Sequence, residues 1–308
     1  QQAKYYALKA RLYQSQQRNT EALQLTQQAI QTLQGEKAQD QLMFYEWQAG
    51  KLYKTLQNNQ LAIDSYRRAI SYVQAIRQDI PVKYTNGKSS FLELFGPLYR
   101  GLIELLLQQA SISEDSDSKD TQLKEVQLII ERLKQTELED FFKDRCLLAD
   151  IDTQRLSIKQ DKLAILYPII LSDRIELLLN IGEHFYQHTI AVSAQTFQQT
   201  VRDYAAKLRK GNEEHTNRQL YDWLIRPIAP ELQQHQIDTL VYIPDGVLRL
   251  LPIASLYDGK HYLIEQYAIS TLPGLAILPE NKKHQASNQT LLVGLSTPAI
   301  ETVENLPP

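Results

Sequence analysis

Few residues in this chain have the type and spacing that chemistry needs. His184 and His188 stand four apart, a spacing that suits zinc when it falls on a helix. Here the surrounding "HFYQHTI" reads as a strand, with no carboxylate placed to complete a ligand set. Ser296 in "GLSTPA" approaches the glycine-flanked turn that exposes a serine for acyl transfer, but Pro298 fills the second glycine slot. Cys146 is the lone cysteine, which excludes an internal disulfide framework and a four-cysteine zinc site. Set in "FFKDRCLLAD", it reads as a small buried hydrophobe. His235, near a helix end, and His261, just after a turn, read as surface or hydrogen-bonded residues. "NQT" at Asn288 matches a glycosylation sequon, and there is no phosphate loop and no Rossmann glycine fingerprint. The residues present therefore predict a chain without catalytic residues, metal or cofactor.

The elements that would position a site come next. The 308 residues suffice for two domains, and 43% hydrophobic with 22% charged residues is ordinary for a globular protein. A net charge of −3 gives no general attraction to nucleic acid or an anionic membrane. No apolar run approaches the roughly 18–20 residues that cross a bilayer. The lone cysteine fits a reducing compartment, so a cytoplasmic location is expected. The opening "QQAKYY" has no initiator Met, from which the expectation is a fragment of a longer protein.

The first half reads as a repeat. "EALQLTQQAI" (Glu21–Ile30) aligns with "LAIDSYRRAI" (Leu61–Ile70), matching Ala22 to Ala62, Ala29 to Ala69 and Ile30 to Ile70. Ala10 and Gly50 precede these by equal distances, each followed by Tyr13 or Tyr53. Two antiparallel helices approach closely only where one offers Gly or Ala, and a tyrosine fills the space beside it. The stretch resembles tetratricopeptide repeats, with a period of forty residues in place of the usual ~34. Gly35 is the expected stop for the first pair. A degenerate third unit follows: an apolar helix Phe91–Gln109 with Pro97 as a possible kink, an acidic loop Ser111–Asp120, and a helix with Leu123, Val126, Ile130, Leu133 and Leu138 on one face. It reads as a capping pair that closes the stack. In relatives of this type the concave face binds peptides. The resemblance maps that face to Lys4, Ala7, Arg11 and Gln14, then to Phe44, Trp47, Lys51 and Lys54. Lys4, Arg11, Lys51 and Lys54 around Trp47 would suit an acidic peptide or a carboxylate. The alternative is a solvated helix face, with Trp47 packed on a neighbouring helix.

From Lys162 the period shifts toward two. "LAILYPIIL", "IELLLNI" and "FYQHTIAV" predict an antiparallel meander, with Pro168 arguing for an edge or a bulge in the first strand. "SAQTFQQTVRDYAAKLRKG" predicts an amphipathic helix ending at Gly211. "NRQLYDWLIRPIAPEL" predicts another, stopped near Pro227 and Pro230. Strands are expected at Leu240–Ile243, Tyr262–Thr271 and Thr290–Ser296, with tight reversals at Gly246 and Gly259.

Pro244-Asp245-Gly246, Leu251-Pro252, Asp258-Gly259 and "YLIEQYAIS" together resemble the opening part of a CHAT domain, over about Lys162 to Pro308. That family of caspase- and separase-like cysteine-peptidase domains, prominent in cyanobacteria, typically follows tetratricopeptide repeats. The resemblance implies a catalytic histidine beside a glycine, then a cysteine in a Ser-x-Cys context, both downstream of these residues. No His-Gly dipeptide occurs here, and Cys146 precedes every histidine, the reverse of the family's order. The expected fold is an α-helical TPR-like repeat domain (1–150) followed by an α/β, mixed-sheet, partial CHAT domain (162–308). The expected function is to bind a peptide or protein partner and support a peptidase half not contained in the chain. The alternative is a non-enzymatic scaffold with an inactive module.

Overall fold

The computed structural model describes residues 1–35, 38–80, 84–85, 88–142, 162–208 and 216–275. Helices α1 (Gln2–Ser15) and α2 (Asn19–Thr32) form one hairpin, and α3 (Gln39–Thr55) and α4 (Asn59–Ala75) a second. The two turns are copies. Gln17 and Gln57 take φ of 61° and 60°, and Arg18 N and Asn58 N each donate to the carbonyl of the matching tyrosine, Tyr13 or Tyr53, at 2.9 Å. The small residues do what their spacing demands: Ala10, Ala22, Ala29, Ala62 and Ala69 are fully buried where helices meet. Gly35 takes φ +90° beyond α2.

A short hairpin, β1 (Tyr84–Thr85) and β2 (Lys88–Ser89), leads into α5 (Ser90–Ile112), and α6 (Ser116–Phe142) returns. Ser89 caps α5 by accepting from Leu92 N, and Asp115 caps α6 by accepting from Ser118 N at 2.9 Å. The expected acidic loop Ser111–Asp120 thus shrinks to Ser113–Asp115, because its Ser and Asp residues cap and start helices instead of unwinding them. α5 continues through Pro97. The third unit is better related to the second than its sequence suggested. A Cβ at Gly50 would lie 2.8 Å from the Tyr66 ring, and one at Gly101 would lie 2.7 Å from it. The buried Tyr66 ring is clasped between α3 and α5, so Gly101 is the small residue of the third unit.

The second half builds a five-stranded mixed sheet in the order β5-β4-β3-β6-β7: β3 (Leu163–Ile170), β4 (Ile175–Ile181), β5 (His184–Ile190), β6 (Thr239–Tyr242) and β7 (Ala268–Thr271). The meander β3–β5 is antiparallel as expected, while β6 and β7 run parallel to β3. Pro168 proves to lie in the central strand. Leu171 N donates to Arg174 O and Leu166 O accepts from Ile243 N, so the backbone polar groups of odd-numbered β3 residues point toward β4 and those of even-numbered ones toward β6. β6 pairs only as far as Leu166. The N–H that Pro168 lacks therefore faces a side that β6 has already left, so the position is locally an edge.

Both faces are covered. α7 (Ala194–Leu208), α8 (Thr216–Leu224) and α9 (Ala229–Gln234) bring Phe197, Val201, Tyr204, Leu220 and Leu232 onto Leu166, Leu177, Leu179 and Leu240. The helix expected to stop near Pro227 and Pro230 does end before Pro227: α8 closes at Leu224, a 3-10 turn spans Arg226–Ile228, and Pro230 sits in the first turn of a further helix, α9, where no N–H is needed. On the opposite face α5 and α6 bring Leu105, Leu106, Val126 and Ile129 into one cluster with Ile165, Tyr167, Leu178, Val241 and Ile243. The capping pair of the stack is also one layer of a helix–sheet–helix sandwich.

Two expectations fail near β7. Residues Leu263–Gln266 form a short helix, α10, and only Ala268–Thr271 is strand. Asp258 Oδ1 accepts from Lys260 N and His261 N, and Glu265 Oε2 accepts from Tyr262 N, so local carboxylates bend the chain. Gly246 does take φ +53°, but it opens a 3-10 segment, Gly246–Leu250, instead of reversing a strand. β6 and β7 are parallel and cannot be joined by a tight turn. At Gly259, φ +108° does accompany a local reversal, bridging Tyr257 to Tyr262. Among the described residues, no helix is long and apolar enough to cross a membrane.

Candidate functional site

The first candidate is the face of α1 and α3. Lys4 and Arg11 are exposed on α1, with Ala7 buried between them and Gln14 half-buried. On α3, Phe44 is exposed, while Trp47 is partly buried against the core and carries the Lys51 ammonium 3.9 Å from its ring centroid. Burial pulls the Lys51 ammonium below its ordinary value, and the Arg11 charge adds to this, so two cations from successive units share one field. Lys54 differs, since its Nζ meets Glu104 of α5 at 2.7 Å. Among the described residues, Lys4, Arg11 and Lys51 form no ion pair, and Trp47 Nε1 is buried without a hydrogen-bond partner. Three uncompensated cations beside an aromatic surface can take a carboxylate.

The second candidate was not foreseen. Gln127, Glu131 and Lys134 lie at i, i+4 and i+7 on α6, one stripe of the helix, and all three are buried. Tyr167 in β3 donates its hydroxyl to Glu131 Oε1 (2.9 Å) and accepts from Gln127 Nε2 (3.1 Å). Burial, then the Glu131 charge, pushes the Tyr167 phenol well above its ordinary range. Glu131 Oε2 accepts from Leu275 N at 2.7 Å. Lys134 Nζ donates to Pro244 O at 2.5 Å and to Asp245 Oδ1 at 3.0 Å. Desolvation by the surrounding chain works to raise the Asp245 carboxyl, but the Lys134 ammonium, with Arg249 and the Gly246 N–H, outweighs it and holds the group below its ordinary value. A Cβ at Gly274 would come within 3.0 Å of Lys134 Cβ and 3.1 Å of Glu131 Oε2, so glycine lets that backbone lie directly on the stripe. One turn further, Glu137 receives Arg249, and Asp140 receives Arg77 (2.7 Å) and Ser89.

Pro244 follows β6 and Leu275 follows β7. The stripe on α6 thus grips main-chain atoms in two successive loops at the carboxyl ends of parallel strands, the end where open sheets of this kind place their sites. The sequence signal was present in the spacing Gln127–Glu131–Lys134, but such a pattern is equally that of a solvated helix face.

The histidines do not assemble a site. His184 and His188 both lie on β5, where four residues span about 13 Å, too far to share a metal. His188 Nε2 does meet a carboxylate, Glu231 Oε1 of α9, at 3.1 Å. His235 Nε2 lies 2.8 Å from the Tyr186 hydroxyl, and His261 is exposed. Among the described residues, no group of three or more His, Cys, Asp or Glu could hold a metal ion. Cys146, Gly211, Asn288, Ser296, Pro298 and the expected strand Thr290–Ser296 lie outside the described residues.

Compared with known families, residues 214–305 match the CHAT domain. The matched span takes in α8, α9, β6, α10, β7 and both Asp-Gly turns, and strands β3–β5 precede it. No curated protein matches the chain.

Proposed function

We propose that the chain is the partner-binding and supporting portion of a tetratricopeptide-repeat CHAT protein. Residues 1–150 take a peptide or protein partner, acidic in character. Residues 162–308 support a caspase-like cysteine-peptidase half that lies beyond these residues. The observation that carries this reading is the double duty of α6. Its apolar side closes the helical stack, while Glu131 and Lys134 hold the loops after β7 and β6, including the Pro-Asp-Gly marker of the matched domain. A change in the pose of the stack would reach those loops through one rigid helix.

Two measurements test it. The product of the complete natural gene, treated with a peptidyl thiol-directed probe, is expected to be labelled at a single cysteine in a Ser-x-Cys context. No labelling would leave a scaffold without enzymatic function. A panel of acidic and neutral peptides, read by fluorescence anisotropy, is expected to bind in order of acidity. Arg11→Glu and Lys51→Glu each lower affinity tenfold or more, and Lys54→Ala changes it less, because Lys54 is already paired with Glu104. Equal binding of neutral peptides, or indifference to Lys51→Glu, would remove the acidic partner.

A further inference from the structure

α1 and α3 are equivalent helices forty residues apart, and one face is covered in α3 but open in α1. Tyr45, Gln48 and Leu52 of α3 are 7%, 8% and 0% exposed. Their counterparts in α1, Tyr5, Leu8 and Leu12, are 59%, 56% and 55% exposed. The remainder of the two hairpins is alike: Ala10 and Gly50 are both buried, and the turns at Gln17 and Gln57 share one conformation. What covers α3 is the hairpin before it. α2 packs on α3, and Ala29, Leu33 and Ile30 of α2 join Tyr45 and Leu42 in one cluster to which α1 adds Ala3 and Ala7. The open stripe on α1 is thus the same docking face without its cover, and Leu8 in place of Gln48 makes it the more apolar of the two. Tyr5, Leu8 and Leu12 at i, i+3 and i+7 form one continuous strip.

The charges around the strip select the occupant. α1 carries Lys4, Lys9 and Arg11 and no carboxylate. A second copy laid against it through the same face would bring these cations together, which opposes association. A helix of the α2 kind brings small and aliphatic residues and an acidic first turn, as Glu21 does in α2.

We propose that Tyr5, Leu8 and Leu12 form the docking surface for the second helix of a further hairpin of this same repeat. That hairpin would be carried ahead of Gln1 in the same protein and seated on α1 as α2 is seated on α3. The forty-residue register then places small residues forty positions ahead of Ala22 and Ala29.

Hydroxyl-radical footprinting of the natural gene product beside this 308-residue chain reads the face directly. Oxidation of Tyr5, Leu8 and Leu12 is expected to fall at least fivefold in the natural product, at every protein concentration, while Tyr45 changes little. Leu8→Glu is expected to leave the thermal midpoint of the 308-residue chain unchanged and to restore oxidation of Tyr5 and Leu12 in the natural product. Equal oxidation in both proteins would overturn the proposal and leave the face to a separate partner. Protection that grows with the concentration of the 308-residue chain would overturn it in favour of a second copy.

Discussion

Replacing Lys134 with methionine keeps an unbranched stem packed on Gly274 and removes the ammonium. Two contacts are lost, to Pro244 O at 2.5 Å and to Asp245 Oδ1 at 3.0 Å, and they are not equal. Pro244 is buried, so its carbonyl loses this donor away from water, at about 1–3 kcal/mol. The Asp245 side chain is 68% exposed, so water takes the place of the ammonium, and that part is worth about 1 kcal/mol at most. Removing a charge from a side chain only 5% exposed returns some desolvation cost. The net loss is about 2 kcal/mol, or about 4–8 °C in thermal midpoint for a unit of this size. The pH dependence follows from Asp245, whose carboxyl is held below its ordinary value of 3.8. A depressed carboxylate contributes stability above its unfolded pKa and loses it as pH falls through the folded value. The wild type should therefore weaken below pH 3.8 more steeply than Lys134→Met. Urea unfolding at neutral pH and in steps to low pH measures both effects, and hydrogen exchange over residues 243–250 localises them. A change under about 0.5 kcal/mol, with unchanged exchange in that loop, would refute the argument, since it is what an ordinary surface substitution gives.

Gly101→Ala would place a Cβ 2.7 Å from the Tyr66 ring, and the crowding is expected to cost about 1–3 kcal/mol in urea unfolding. Helix propensity alone predicts a gain of about 1 kcal/mol, so the sign decides whether the clasp exists. Gly50→Ala displaces the same ring, and the two losses should add to less than their sum. Burial pushes Tyr66 up to about 12, with the Glu104 charge adding to it. A raised folded pKa means that this stability is full below the ordinary 10.0 and is lost as pH rises through about 12. Tyr66→Phe should flatten the alkaline decline in stability over that window, and an unchanged slope would show that Tyr66 does not titrate with unfolding.

The repeat was legible because burial at helix crossings tolerates so few residue types. Ala10, Ala22, Ala29, Gly50, Ala62 and Ala69 announced α1–α4 by their spacing alone. Gly101 escaped the same logic because it stands fifty-one residues after Gly50, out of register with the forty-residue period. In the second half the apolar runs of β3, β4 and β6 marked a buried sheet, but Tyr262–Thr271 was read as continuous strand. There Asp258 and Glu265 capture backbone N–H groups and turn the chain before β7, a local competition that periodicity does not register. Pro168 suggested an edge, and the edge was real but local, because β3 outruns β6. The cationic face was legible as residue types, whereas the pairing of Lys54 with Glu104 depends on how α5 returns beside α3. The stripe on α6 was the least legible. Gln127, Glu131 and Lys134 make the pattern of a wet face, and only a second layer packed on that side makes it a buried one.

That second layer explains why the stripe is polar. A helix capping a repeat stack could meet the sheet with leucines, and apolar packing would hold it as firmly. Leucines, however, do not distinguish one backbone atom from another. Glu131 accepts from the Leu275 N–H, and Lys134 donates to the Pro244 carbonyl. These two atoms belong to loops at the same end of neighbouring parallel strands, so satisfying both fixes the rise and rotation of α6 relative to β6 and β7. A slip of one helical turn would move each side chain about 5.4 Å and leave a buried carboxylate and a buried ammonium without partners. Apolar contacts change gradually under such a slip, but paired charges do not. The seam therefore allows one register at low free energy, and displacement of the helical stack must either carry both loops with it or break both contacts.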